Sequence, residues 1–408
     1  MSPRFAPSFL LCTLAVAAPL RAQEGRSLDL TVGDVGISIG DSRRTVGLRL
    51  NFRDRYMEEV VGINATVWFP YEYNGYVRGV ALGLPATGAD RIDGVGLAVL
   101  GLAAADRIRG LAAAPAGIGV GGDFEGIGVA GIGMGSGGNL QGIAVGGIGL
   151  GVGQDVLGMT VGGLGVGVGG QIEGVAVGGI GVGAGGGLRG LGLGGVGLGV
   201  GGPLEGIAIG GIGTGVGGSV EGLAAGGLGV GVGGSATGVL FGGLGVGAGS
   251  NVRGISGAGL GIGTGGDMLG IQVAGAGIGA GGDIVGLQVA GIGVGAGGTL
   301  RGVSLAGVGV GAPQIEGLAA ALAVGGYDVH GVAFAPAYFR IVEGGTMRGV
   351  NVSAYNDVRG TQRGLAIGIF NYARELDGLQ IGLLNYARNK PAGTRLLPFA
   401  NYARSPGR

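Results

Sequence analysis

Glycine returns every sixteen residues from Gly94 to Gly302, through Gly110, Gly126, Gly142 and onward, without one insertion or deletion. Self-similarity at a fixed period in this range marks a stacked-repeat architecture, in which each unit buries its apolar side only against its neighbours. In the unit from Gly142, bulky residues occupy Ile143 and Val145, then Ile148, Leu150 and Val152. Alternation with period two means strand, because successive side chains point to opposite faces. The β-branched character of these positions agrees. The adjacent Gly146 and Gly147 shift the phase by one and so mark a corner or a bulge. A helix is excluded, since each interior glycine would cost it about 1 kcal/mol against alanine.

Charge sharpens the pattern. Asp123, Glu125, Asp155, Glu173, Arg189, Glu205, Glu221, Arg253, Asp267, Asp283, Arg301 and Glu316 all fall one or three places before a marker glycine. Between those two places sits a bulky residue such as Phe124, Leu140 or Val156. Each unit is therefore expected to carry one polar corner, about six inward-looking apolar side chains, and glycine or alanine elsewhere.

Two all-β architectures satisfy this pattern. In a β-solenoid each sixteen-residue unit is one coil, stacked in register at ~4.8 Å to give a regular column about 60 Å tall. In an antiparallel outer-membrane β-barrel each unit is one strand plus turn, and about 9–11 weakly polar residues cross the bilayer. The solenoid is the preferred reading. A barrel differs between its two rims, whereas every unit here has the same polar corner. Its aromatic girdles are also missing, since Phe124 and Phe241 are the section's only aromatic residues. Stacking further places Glu173, Arg189 and Glu205 in succession as an alternating ladder.

The regular units occupy 110–316, between divergent β-repeats at 23–109 and 317–408. Ahead of these, Arg4, the apolar stretch Phe9 to Ala18, and Ala22 before the polar Gln23 have the order of a secretory signal peptide over 1–22. The chain is thus expected to be exported. Its one cysteine, Cys12, lies inside that leader, so the remainder has neither disulfide nor thiolate metal site. Net charge is zero, with no basic run to attract nucleic acid.

Both ends carry aromatic residues. Trp68, Phe69, Tyr71, Tyr73 and Tyr76 cluster before Val77 and are read first as a cap on the exposed end of the stack. The other reading is a binding platform suited to a sugar ring. Near the C-terminus Asn-Tyr-Ala-Arg occurs three times, beginning at Asn371, Asn385 and Asn401. The asparagines are expected to form an inward amide ladder, each bonding to the coils above and below, with Tyr372, Tyr386 and Tyr402 on the opposite face. Trp68, Phe69, Tyr71, Tyr372, Tyr386 and Tyr402 are therefore the candidate ligand-facing residues.

The segments GLAIGIFNYARE and GLQIGLLNYARN resemble the bacterial surface-repeat proteins built on GLQIGLxNxA units. The match is close over Gly364 to Arg404 and stylistic over the glycine-rich centre. The resemblance implies a location, the bacterial cell envelope, more than a chemistry.

No catalytic constellation emerges. GxGxxG matches follow from composition and lack the helix and acid that a dinucleotide site needs. Asp123, Asp155, Asp267 and Asp283 invite comparison with calcium-binding nonapeptide arrays, yet the second required glycine is absent and too few oxygens accompany them. Ice binding needs one repeated threonine face, whereas Thr160, Thr214 and Thr264 occupy different places in their units. His330, the only histidine, has no nucleophile suggested by pattern. No metal or cofactor is implied and no enzyme activity is expected; a polysaccharide-active enzyme is the remote alternative. The favoured role is an exported structural or surface-interaction repeat protein offering a flat, weakly polar face. Its expected partners are copies of itself, or cell-surface and envelope components. Membrane insertion belongs only to the barrel alternative, where the role would be a pore.

Overall fold

The computed structural model describes residues 26–404 apart from residue 72, and the leader read at 1–22 lies outside the described residues. The fold is a glycine-rich β-solenoid. Each regular coil contributes a seven-residue strand, such as Leu140–Gly146, and a four-residue strand, such as Gly149–Val152. Each pairs in parallel with its counterpart sixteen residues away, Gly142 beside Gly126 and Gly158, Leu150 beside Met134 and Val166. Consecutive units do not run up and down, so the barrel alternative is excluded.

The period has a steric origin. Each marker glycine adopts a positive φ, +130° at Gly206, which L side chains resist. A Cβ there would also collide with the carbonyl oxygen of Gly190, one coil below. The ladder of markers extends beyond the regular section: Gly36, Gly47, Gly62 and Gly79 align beneath Gly94, while Gly317 and Gly331 continue above Gly302. The divergent ends are thus continuations of the same stack.

Both ends are closed by a reversed strand. Ser27–Val32 pairs antiparallel with Val35–Gly40, and Leu396–Ala403 pairs antiparallel with Gly378 to Tyr386. These strands cover open ladder edges that would otherwise template further pairing. The N-terminal closure is therefore Ser27–Val32, not the aromatic cluster expected there. Trp68, Phe69, Tyr71 and Tyr73 lie instead on a lateral excursion between the strands Glu59–Thr66 and Tyr76–Gly83.

The interior departs from the expected phase. In the Gly142 unit the buried side chains are Leu140, Ala144, Leu150 and Val152, while Ile143 and Ile148 are exposed. Bulky residues were expected inside at 143, 145 and 148; those columns face outward. The coil is too thin to hold them, and its two walls trade volume across the gap. Where the wall position is Gly128, Phe124 and Met134 fill the space, each reaching within 3 Å of where a Cβ would stand. Where Ala236 replaces the usual large residue, Leu240 replaces the usual alanine. Such compensation keeps the core at constant volume and close-packed.

Candidate interaction surface

Outward positions of the coil form three strips of different character. At the polar corner, Arg189 donates to Glu205 at 3.0 Å and Glu173 at 3.2 Å, so the expected alternating ladder forms. Arg109 donates to Glu125 and Arg301 to Glu316, both at 2.7 Å. These hydrogen bonds to glutamate are the main cause of raised guanidinium pKa values at Arg109, Arg189 and Arg301. The pairs lie at the surface, half-exposed, and contribute little to stability.

The aspartates three places before a marker cap the turn. Asp123 Oδ1 accepts the backbone N–H of Asn139 at 2.8 Å, and Asp155 Oδ1 that of Gln171 at 2.7 Å. Asp267 and Asp283 do the same for Asp283 and Thr299. Each carboxylate is thereby committed to the coil above. Among the described residues no group of three or more metal-ligating side chains forms. Thr160, Thr214 and Thr264 are buried.

The second strip is bare. Gly151 and its equivalents from Gly119 to Gly279 face outward with no atom within 4 Å of where a Cβ would stand and with ordinary φ, so neither sterics nor backbone geometry requires glycine there.

The third strip comprises the columns one, three and six places after each marker. From Ile127 to Val308 these columns run twelve coils without a charged or polar side chain. Ile127, Ile207, Ile212, Phe241 and Leu260 are each at least 40% exposed. Twelve coils at ~4.8 Å by five residues at ~3.3 Å give about 900 Å², against roughly 300–600 Å² for the largest apolar patch of an ordinary monomer. Instead of the weakly polar face expected, the molecule presents an apolar one. Two hollows open on it where the middle column drops to alanine. One, of about 550 Å³, lies at Ala113 among Leu97, Val99 and Val129. The other, of about 400 Å³, lies at Ala225 between Ile209 and Phe241.

The candidate aromatic residues do not converge. Trp68 stacks on Phe52 at 6.2 Å and meets Phe69 edge-on at 5.7 Å, while Arg55 covers Tyr71 at 4.6 Å. Near the other end of the chain, Tyr372 and Tyr386 stack at 5.5 Å. Tyr402 does not join them: its reversed strand places it beside Leu379. Tyr372 lines a polar recess of about 320 Å³ with Tyr355, Asp357, Arg359 and Arg374. Burial and the carboxylate of Asp357, 3.1 Å from its hydroxyl, raise the Tyr338 pKa.

The amide ladder forms as expected and reaches further. Asn371 Nδ2 donates to Asn385 Oδ1 at 2.6 Å, and Asn356 Nδ2 to Asn371 Oδ1 at 2.6 Å. Asn351 extends it by donating to Asn356. Asn401, on the reversed strand, bonds the backbone oxygen of Asn385 at 3.2 Å instead of its side chain.

A second buried polar group was not expected from the sequence. Arg49 is 0% exposed and pairs with Asp54. It also donates to Ser42 O at 3.0 Å and Asn64 Oδ1 at 2.9 Å. Asp54 Oδ2 accepts from Asn64 Nδ2 at 3.0 Å and Thr66 Oγ1 at 2.7 Å. The signal lies in register: Ser38, Arg49 and Asn64 occupy the inward column two places after Gly36, Gly47 and Gly62.

No protein-family model matches the chain, and no curated protein or solved structure does either.

Proposed function

We propose that this chain is an exported, non-enzymatic structural repeat protein of the bacterial cell envelope that works by presenting rigid surfaces to other surfaces. The observation that carries this reading is the apolar strip, twelve coils long and uncharged, on a scaffold whose core is complete without it. Export is supported by the leader-like order of Arg4, Phe9 to Ala18 and Ala22. The envelope is supported by the resemblance of Gly364 to Arg404 to GLQIGLxNxA surface repeats. A sugar-binding role for the tyrosine face has less behind it, because Tyr372 and Tyr386 spend a ring face on each other.

Expression in a Gram-negative host followed by fractionation tests the reading. The expected product is found in the envelope or the medium with its N-terminus near Gln23, and deletion of residues 2–22 retains it in the cytoplasm. Full-length chain that keeps Met1 and stays cytoplasmic refutes export. For the surface role, Ile207→Glu with Ile209→Glu should release the chain from the envelope fraction while leaving its thermal unfolding unchanged.

A further inference from the structure

The middle column of the apolar strip carries a knob and a hole on successive coils. Phe241 is 53% exposed, and its ring leans over Gly257 on the coil above, with Cε1 2.7 Å from where a Cβ would stand. On the coil below, Ala225 floors the hollow of about 400 Å³ that lies between Ile209 and Phe241. A surface with a projection and a recess one coil apart is complementary to itself turned end for end.

We propose that two copies of this chain pack face to face through the apolar strip, stacks antiparallel, about a two-fold axis lying in the interface along the strand direction, midway between the coils of Ala225 and Phe241. That operation keeps each column facing the same column and reverses the order of coils. Phe241 then enters the hollow above the partner's Ala225, and Ala225 receives the partner's Phe241. Next outward, Ile209 faces the partner's Gly257, over which the partner's Phe241 ring leans, so Ile209 packs on the flank of that ring. Beyond these, Leu193 faces the partner's Val273 and Val177 faces the partner's Val289, which are ordinary contacts between aliphatic residues. A self-complementary patch of this kind is what an isologous dimer requires. Ten of the strip's twelve coils, from Gly158 to Gly302, overlap in this arrangement, and by the same spacings they offer about 800 Å² a side, which matches the roughly 800 Å² per partner of a stable interface. The other two-fold, along the stack, sets Phe241 against the partner's Phe241 and leaves both Ala225 hollows empty. A lipid surface would gain nothing from the knob and hole and would favour a basic rim, whereas the polar corner is acidic, with nine carboxylates against three arginines from Asp123 to Glu316.

This inference rests on reading the strip as an associating surface. Its failure is nonetheless distinct: a monomer refutes the dimer and leaves export standing, while cytoplasmic retention refutes export and leaves the dimer standing. Light scattering and sedimentation of the full chain should give a dimer. Phe241→Glu should weaken it by about thirty-fold or more, as expected for a central aromatic anchor, with the far-ultraviolet circular dichroism of the fold unchanged. Ala225→Phe alone and Phe241→Ala alone should each weaken it, and the exchange Ala225→Phe with Phe241→Ala should restore it. In a Cys12→Ser background, Leu193→Cys with Val273→Cys should cross-link between chains, while Leu193→Cys alone should not. A monomeric wild type, a dimer indifferent to Phe241→Glu, an exchange that fails to restore association, or cross-linking by Leu193→Cys alone would overturn the proposal. So would monomers that bind neutral phosphatidylcholine vesicles through this strip.

Discussion

Glycine occupies this fold for two different reasons, and paired substitutions separate them. At Gly206, φ of +130° places the backbone where an L residue is strained by about 1–3 kcal/mol. The added Cβ would also overlap the carbonyl oxygen of Gly190, so the two coils must part locally. Losing one or two ladder hydrogen bonds at about 0.5–1.5 kcal/mol each brings the total to roughly 2–6 kcal/mol. The reduced entropy of the unfolded chain returns about 0.4–1 kcal/mol. Gly199 faces solvent with nothing within 4 Å of a Cβ and without a positive φ. Gly199→Ala should therefore gain those few tenths and lose nothing. The two variants are expected to differ by about 4 kcal/mol in urea unfolding followed by circular dichroism.

The shape of the curve carries a second test. Each coil touches only its neighbours, so stability is a sum of coil and interface contributions. A defect at Gly206, near the middle of the stack, should split one cooperative transition into two as the halves decouple. If Gly206→Ala costs less than about 1 kcal/mol, or if Gly199→Ala costs as much, then glycine at the marker reflects composition and the steric account of the period is wrong.

Other consequences follow from the buried polar groups. Arg49→Met should destabilise the N-terminal coils by about 3–5 kcal/mol, because it strands the Asp54 carboxylate in the interior; hydrogen exchange should show the loss confined to that end. Asn385→Ala removes one of the two acceptors of Asn371 Nδ2, leaving the Ile381 carbonyl, and should cost about 1–3 kcal/mol, measured by urea unfolding, with Asn371 amide protection falling in parallel. The Tyr338 hydroxyl, held above its ordinary pKa of 10.0 by burial and by Asp357, should ionise later than free tyrosine in an ultraviolet titration. Since its folded pKa is raised, the associated stability is full below the unfolded value and is lost as pH rises through the folded one. Asp357→Asn should move that titration back towards the free value.

Much of the architecture is legible in the residues, for reasons that are local. A marker glycine without insertion over fourteen units, each with the same polar corner, favours in-register stacking over a barrel, and the structure pairs Gly142 with Gly126 and Gly158. Glu173, Arg189 and Glu205 meet because register alone brings them together. Asn371 and Asn385 meet for the same reason. The facing of each strand is harder to read. When alternate positions are glycine and alanine, bulk suggests that Ile143 and Val145 point inward, and only the width of the coil decides otherwise. Arg49 misleads similarly, because a charge that alternates with apolar residues looks like a solvated strand face. The closing strand at Leu396–Ala403 repeats the wording of the coils, and nothing in Asn401 or Tyr402 announces that the chain has reversed.

The inward column two places after the markers shows what folding demands. It holds Arg49, Asn64, Ala144, Thr160, Gly192, Leu240 and Gln272, all buried or glycine, from apolar to charged. The opposite wall or a neighbouring coil compensates each in turn, as Phe124 and Met134 do for Gly128. Outside, the three columns from Ile127 to Val308 admit no polar side chain at all. Water imposes no such restriction; an exposed strand face is ordinarily where polar residues collect. Here the inward column varies in chemistry and this outward strip does not, the inverse of what folding alone requires. We read the apolar exterior as answering to a contact outside the coil, with the exposed Phe241 and the hollow at Ala225 giving that contact its shape.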